Sequence, residues 1–214
     1  MRAAVFLFAA LTAAPAWAQE APAAADYTLN AAASTLFVVV KKDPSTLGAA
    51  MAHDHAIAAS GWTGQVHWEP ANPAACKVAI TVPITGLQVD PPGYRAKAGL
   101  NAQEVSAGDK QTITDNFRGA SQLNASAFPT IQFTSTACSG TGGKYEVAGN
   151  LSLRGKSRPT KLTMSISADG TTFKASGRFD AKGSDWGMAP FSAAFGAVKN
   201  LDTLTFVIDV VGAR

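Results

Sequence analysis

Two of the three histidines in this 214-residue chain stand two positions apart, His53 and His55, with Asp54 between them. On a strand, positions i and i+2 face the same side, so the pair could offer two imidazoles to one metal ion or one anionic head group. A structural zinc site takes four protein ligands and a catalytic one three, and no Cys, His or carboxylate cluster completes either set at a recognisable spacing. His67 and Asp54 are no more than candidates to join them, and the metal is unknown. The alternative is two histidines hydrogen-bonded at the rim of a larger structure. Cys76 and Cys138 are too far apart for a CxxC redox motif. Arg154 and Lys156, flanking Gly155, could meet a phosphate, although basic residues at an exposed turn are ordinary. Nucleophilic hydrolysis finds no G-x-S-x-G and no Cys–His pair with an orienting partner, and the run Gly140–Gly143 suits a hairpin turn better than a phosphate loop. No catalytic residue is assigned.

The elements that must hold these residues repeat with a period of two. Val78, Ile80, Val82 and Ile84 alternate with more polar neighbours, as do Ile131 with Phe133, and Val147, Gly149, Leu151 with Leu153. The same holds for Leu162, Met164 and Ile166, for Phe173 to Ala181, and for Leu204 to Val210. Such alternation marks half-buried strands. With Ser34–Val40 and His55–Glu69 the count is eight. The links after Cys138, Leu153 and Ser167 are short and rich in turn residues, whereas parallel strands need crossovers of a dozen residues or more, so neighbours run antiparallel. One long connection, between Leu87 and Thr130, loses the period; Ile113, Phe117 and Leu123 point to a helix of poor amphipathicity, after a turn at Pro91-Pro92-Gly93. Eight antiparallel strands make a sandwich or a closed barrel, and a packed barrel interior alternates in the same way as one that lines a cavity. If the strand from Cys76 pairs with the strand ending at Cys138, the two sulfurs come within reach of a bridge.

The ends and the composition narrow the function. MRAAVFLFAALTAAPAWAQE has a short basic start, an apolar run of about a dozen residues and a small-x-small site at Ala16-Trp17-Ala18, the layout of a secretory signal peptide. Residues 1–18 would be removed, leaving 19–26 as a flexible Ala/Pro-rich tail and one domain over 27–212. Export to an oxidising compartment favours a Cys76–Cys138 disulfide over a reduced buried pair. Charged residues are only 15% and hydrophobic ones 47%, enough for a sizeable core. The net charge of +3, falling to +2 without the leader, is far too small for a nucleic-acid footprint. No later apolar run approaches the ~20 residues that cross a bilayer as a helix. A membrane barrel would carry aromatic girdles at its rims, whereas Phe133, Phe179 and Phe206 fall mid-strand.

The segments TGQVHW, KVAITVPITGLQV, FPTIQFTST, YEVAGNLSLRGKSRPTKLTMSI and DWGMAPFSAAFGAVKNLDTLTFVIDV resemble the YceI-like family of exported lipid-binding barrels over about residues 27–212. The order FP-x-I-x-F, then G-x-L-x-L-R-G-x-x-x-P, then a terminal alternating strand is the most specific part. The resemblance implies an all-β fold: an eight-stranded antiparallel lipocalin-like β-barrel with one short helix in the long connection after the third strand. It also implies a periplasmic protein that sequesters or carries a long-chain polyisoprenoid or similar amphiphile, without being an enzyme and with no cofactor required beyond the bound lipid. The implied lumen residues are Val82, Ile84, Ile131, Phe133, Leu151, Leu153, Met164, Ile166, Phe179, Phe206 and Ile208. Many relatives have a single His on the second strand, so the His53/His55 pair is a departure, and both are candidates for holding a head group or a metal. The rival expectation is a metal- or haem-linked redox accessory using that pair. A homodimer is left open.

Overall fold

The computed structural model describes residues 23–214; the expected signal peptide and residues 19–22 of the expected tail lie outside them. Strands with one apolar face need a shared interior, and here eight of them close on one another. β1 runs in two halves, Ala25–Leu29 and Thr35–Lys42, and so does β2, as His55–Ala59 and Thr63–Trp68. β3 is Lys77–Pro83 with a continuation at Leu87–Val89. There follow β4 (Thr130–Thr141), β5 (Lys144–Leu153), β6 (Lys156–Ala168), β7 (Thr172–Lys182) and β8 (Val198–Ala213). All neighbours are antiparallel. β8 returns to β1 through Thr28–Ala213 and through a longer ladder from Thr35–Asp209 to Val40–Leu204, which closes the barrel.

Two expected boundaries are corrected. The single strand expected over His55–Glu69 is broken at Ser60-Gly61-Trp62, where Gly61 takes a φ of 63°, a left-handed turn that only glycine makes without steric cost. The chain is also in strand by Ala25, which pairs with Trp68, so Ala25 and Asp26 belong to the barrel and not to the tail. Ladder bonds need only backbone, and Ala25 is small enough to be buried beside Trp68. The two halves of β1 keep register with the two halves of β2, as Val40–His55 and Phe37–Ala58 at one end and Thr28–Gln65 at the other. Both strands therefore bend without leaving the sheet.

The barrel opens in two places. The first half of β3 pairs with both β2 and β4, whereas its continuation pairs with β2 alone, through Ile57–Val89 and Ala59–Leu87. The long connection fills that gap. Its single helical turn α1 (Tyr94–Lys97) covers the outer face of β1 and β2, where Phe37, Val39, Ala56 and Ala58 are buried under Tyr94, Ala98 and Leu100. Its longer helix α2 (Ala107–Arg118) starts at Ser106, whose hydroxyl accepts the Asp109 N–H at 3.1 Å, a side-chain cap of the usual kind. The second opening lies between β6 and β7. Their ladder runs from Phe173–Ala168 to Gly177–Met164 and stops, so Lys156–Thr163 pairs only with β5 and Arg178–Lys182 only with β8. The short turn Gly183–Trp186 plugs this split: Trp186 is 2% exposed and its indole N–H donates to the Leu151 carbonyl at 2.9 Å.

Cys76 and Cys138 form a disulfide at the end away from α2, with Cα atoms 6.0 Å apart. The register that brings them together, Ala79–Thr134 to Pro83–Thr130, is the antiparallel pairing expected for these two strands.

Candidate functional site

The interior divides into a narrow space and a wide one. The narrow space, about 110 Å³, lies among side chains of the inward parity and is bordered only by apolar residues. Of the expected lumen residues, Val82, Ile131, Phe133, Leu151, Met164, Ile166, Phe179, Phe206 and Ile208 border it. Leu153 borders the wide space instead. Ile84 borders neither. The chain leaves strand geometry after Pro83, so alternation no longer decides where Ile84 points, and it is 0% exposed in a cluster with Leu123, Leu151, Leu153, Trp186 and Met188.

The wide space is a chamber of about 420 Å³ at the α2 end, within the range of small-molecule sites. Val38, Val40 and Ile57 form one wall, Leu204 and Phe206 another, and Ala189-Pro190-Phe191 a third. α2 lies along its side with Asp109, Thr112, Ile113, Asn116 and Phe117. Those positions follow the i, i+3, i+4, i+7, i+8 spacing of a single helical face. This explains the poor amphipathicity noted in the sequence: the inward face borders a cavity, so it carries polar residues beside Ile113 and Phe117, and no residue of α2 is fully buried. Ile131 and Phe206 border both spaces, and the Phe206 ring stacks on Phe179 with centroids 4.6 Å apart and planes 7° from parallel. The stacked pair stands where the chamber adjoins the narrow lumen.

His53 and His55 both border the chamber, with ring centroids 6.3 Å apart. β2 begins only at His55, so the shared side comes from an extended approach to the strand and not from a regular pair within it. His55 is held by residues the sequence reading missed. Its Nδ1 lies 2.7 Å from Asp90 Oδ2, and Asp90 Oδ1 accepts the Ala56 N–H at 2.8 Å. Arg95 reaches the same carboxylate at 3.2 Å and donates to the Asp54 carbonyl at 2.7 Å, which ties α1 to β2. Burial is the largest influence on Asp90 and raises its pKa. The His55 hydrogen bond, the Ala56 amide and the charges of His55 and Arg95 together outweigh it, and the carboxyl sits below its ordinary value. With the ionised Asp90 on Nδ1, the hydrogen rests on that nitrogen in neutral His55. Its Nε2 is then an acceptor, which becomes a donor only on protonation. One signal for Asp90 was available: it is the sole acidic residue between Glu69 and Glu104, placed directly before Pro91-Pro92.

The other chemical candidates stay apart from this chamber. His67 pairs with Asp26 at 2.7 Å on the strands β2 and β1 and does not join His53 and His55. Among the described residues no group of three or more His, Cys, Asp or Glu could hold a metal ion. The Arg154 guanidinium donates to the carbonyls of Gly187 and Ala120, so it fastens the β5–β6 turn to neighbouring loops and is not a free phosphate site. No described helix is long and apolar enough to cross a membrane.

A closed antiparallel barrel of eight strands with open space inside is the architecture that encloses one small ligand. The chain belongs to the YceI-like domain family, whose model matches residues 27–211. Among solved structures, BcnA of Burkholderia cenocepacia superimposes with a TM-score of 0.62 at 19% identity, covering 86% of this chain and 98% of its own. The YceI protein of Campylobacter jejuni gives 0.50 at 17% identity, covering 73% of this chain and 83% of its own. A mutant form of a CJ YceI protein that holds a monobromobimane guest gives 0.51 at the same identity and coverage. At these identities the likeness is one of fold. No curated protein matches the sequence.

Proposed function

We propose that this protein is an exported, periplasmic carrier of a long-chain polyisoprenoid-type amphiphile, and that it works by binding without catalysis. The observation that carries this reading is the two-part interior: an all-apolar lumen adjoining a wider chamber whose wall mixes apolar side chains with His53, His55, Asp109 and Asn116. A tail in the lumen is held by removal of its surface from water, worth ~25 cal/mol per Å², and no reactive group is needed for that. A polar head fits the chamber, where His53 and His55 stand among Asp109, Asn116, Asn200 and Asp202. Membership of a lipid-binding barrel family supports the same reading.

The test is native mass spectrometry of the exported protein, followed by organic extraction of what it holds. One amphiphile per chain, released by solvent, is the expected result. Stoichiometric metal or haem without lipid would instead favour the redox accessory, and an empty protein of unchanged stability would favour a packed interaction module.

A further inference from the structure

The charged residues that line the chamber are Asp109 and Asp202, with no Lys or Arg, so its field favours a cation over an anion. Both carboxylates have other work. Asp109 accepts the Ser106 hydroxyl at 2.7 Å, and Asp202 takes the Ser184 N–H at 2.9 Å on one oxygen and the Ser184 hydroxyl on the other. The donor atoms left over are of a softer kind. Met51, His53 and His55 alternate along the chain, and all three border the chamber. Met51 ends a single helical turn, Ala49–Met51, and the chain is extended from Ala52 into β2. At 72% exposed, Met51 does no core packing, and its thioether stands at the entrance.

The two imidazoles are arranged as ligands are. Asp90 occupies Nδ1 of His55 at 2.7 Å, so Nε2 is the nitrogen this 9% exposed residue offers to the chamber it borders. A carboxylate on the far nitrogen is the usual outer partner of a metal-binding histidine: it fixes the tautomer, orients the ring and raises the basicity of the free nitrogen. His53, alone of the three histidines, has no hydrogen-bond partner among the described residues. The two ring centroids are 6.3 Å apart. With metal–nitrogen bonds of ~2.0–2.1 Å, an ion stands about 3.2 Å from the centroid of each ring, so one ion spans the pair when the angle between the bonds is wide.

We propose that Met51 Sδ, one ring nitrogen of His53 and Nε2 of His55 bind a single Cu(I) ion at the edge of the chamber. Among the described residues no third His, Cys, Asp or Glu joins the imidazoles, and the methionine supplies the missing ligand. The donor set selects the metal. A thioether and two neutral imidazoles suit Cu(I), which accepts two or three soft ligands at wide angles. A structural Zn²⁺ site takes four protein ligands, and Ca²⁺ and Mg²⁺ take oxygen. Cys76 and Cys138 are joined to each other, so no thiolate competes for the ion. The site needs these three side chains and not the lumen, and it stands apart from the carrier reading.

The experiment is an oxygen-free titration of the exported protein, its disulfide intact, with Cu(I) under ascorbate and in competition with bathocuproine disulfonate. One Cu(I) should be held per chain, with one sulfur and two nitrogens around it by X-ray absorption. Met51→Leu should weaken Cu(I) binding by about tenfold or more and remove the sulfur, while leaving Zn²⁺ affinity unchanged. His53→Ala should abolish the site. Neither side chain packs in the core, so the metal-free melting temperature should not move in either variant. His67→Ala, on the pair with Asp26, should bind copper as the wild type does. Wild-type protein that loses all Cu(I) to the competitor overturns the proposal, as does binding undiminished in Met51→Leu or His53→Ala, or lost in His67→Ala. Zn²⁺ held as tightly as Cu(I) also overturns it, because the thioether would then select nothing. The cargo is read separately by extraction, so copper on a lipid-free barrel counts against the carrier and for this site, and lipid without copper the reverse.

Discussion

Phe206→Ala should turn two spaces into one. The ring borders both the 110 Å³ lumen and the 420 Å³ chamber and stacks on Phe179 at 4.6 Å. In a packed core Phe→Ala costs ~3–5 kcal/mol, but open space on two sides means fewer contacts to lose. What goes is the aromatic pair, ~0.5–1.5 kcal/mol, and about half the ~1.5–3 kcal/mol of a fully buried side chain. The loss should come to about 2 kcal/mol, or ~4–8 °C in melting temperature for a domain of this size. Thermal unfolding measures that part. Extraction and mass spectrometry of the same preparations measure the other: the alanine variant should keep its cargo and admit bulkier chains, while Phe206→Trp should exclude the tail. A loss of ~3–5 kcal/mol with the cargo unchanged in both variants would refute the reasoning, because the ring would then be ordinary packing between two unconnected voids.

Replacing Cys76 and Cys138 by Ser opens a link between residues 62 apart and should cost about 4 kcal/mol by loop entropy, read as a shift in urea midpoint; a change below ~1 kcal/mol would leave the bridge without stabilising effect. Asp90→Asn should cost ~1–3 kcal/mol at pH 7 through the charged hydrogen bonds of His55 and Arg95. Because the folded carboxyl titrates below its ordinary value, that stabilisation is present above the ordinary carboxylate range and is lost as pH falls through the folded value. The gap between wild type and variant should therefore close in acid, and an equal gap at pH 7 and pH 3 would point to packing instead of charge. His53→Ala should leave stability unchanged and weaken retention of the amphiphile, whereas His55→Ala should also destabilise by ~1–3 kcal/mol, since it strips a partner from buried Asp90. Retention that is the same in both variants and in wild type would remove the histidines from the site.

The barrel was legible because its strands alternate over long stretches and its hairpins are short. What a reading as one strand hides is a change of parity at the break: the inward residues are odd-numbered before it, His55 and Ile57, and even-numbered after it, Val66 and Trp68, with the left-handed Gly61 at the bend. Ile84 shows the opposite limit, a residue of the right parity in a segment that has stopped being strand. The chamber was largely illegible. Its walls come from β1, α2 and the segment after Trp186, which meet only through the fold, and Asp90, which holds His55, and Arg95, which holds Asp90, lie 35 and 40 residues along the chain from His55. The weak amphipathicity of α2 was the visible trace of the cavity.

The split between β6 and β7 leaves two strand edges without partners, and bare edges are templates on which a second chain can extend a sheet. This molecule carries such a seam in its wall, yet the seam is poorly suited to polymerisation. Pro159 has no N–H to give to an incoming strand, and Arg158 and Lys161 set charge along the same edge, while Arg158 is further engaged with the Asp185 carbonyl at 2.8 Å. A barrel can in this way stay unzipped over part of its height and still remain a discrete particle. Pro159→Val would restore the missing donor, and the variant's solubility over time is the property that would register the loss of that protection.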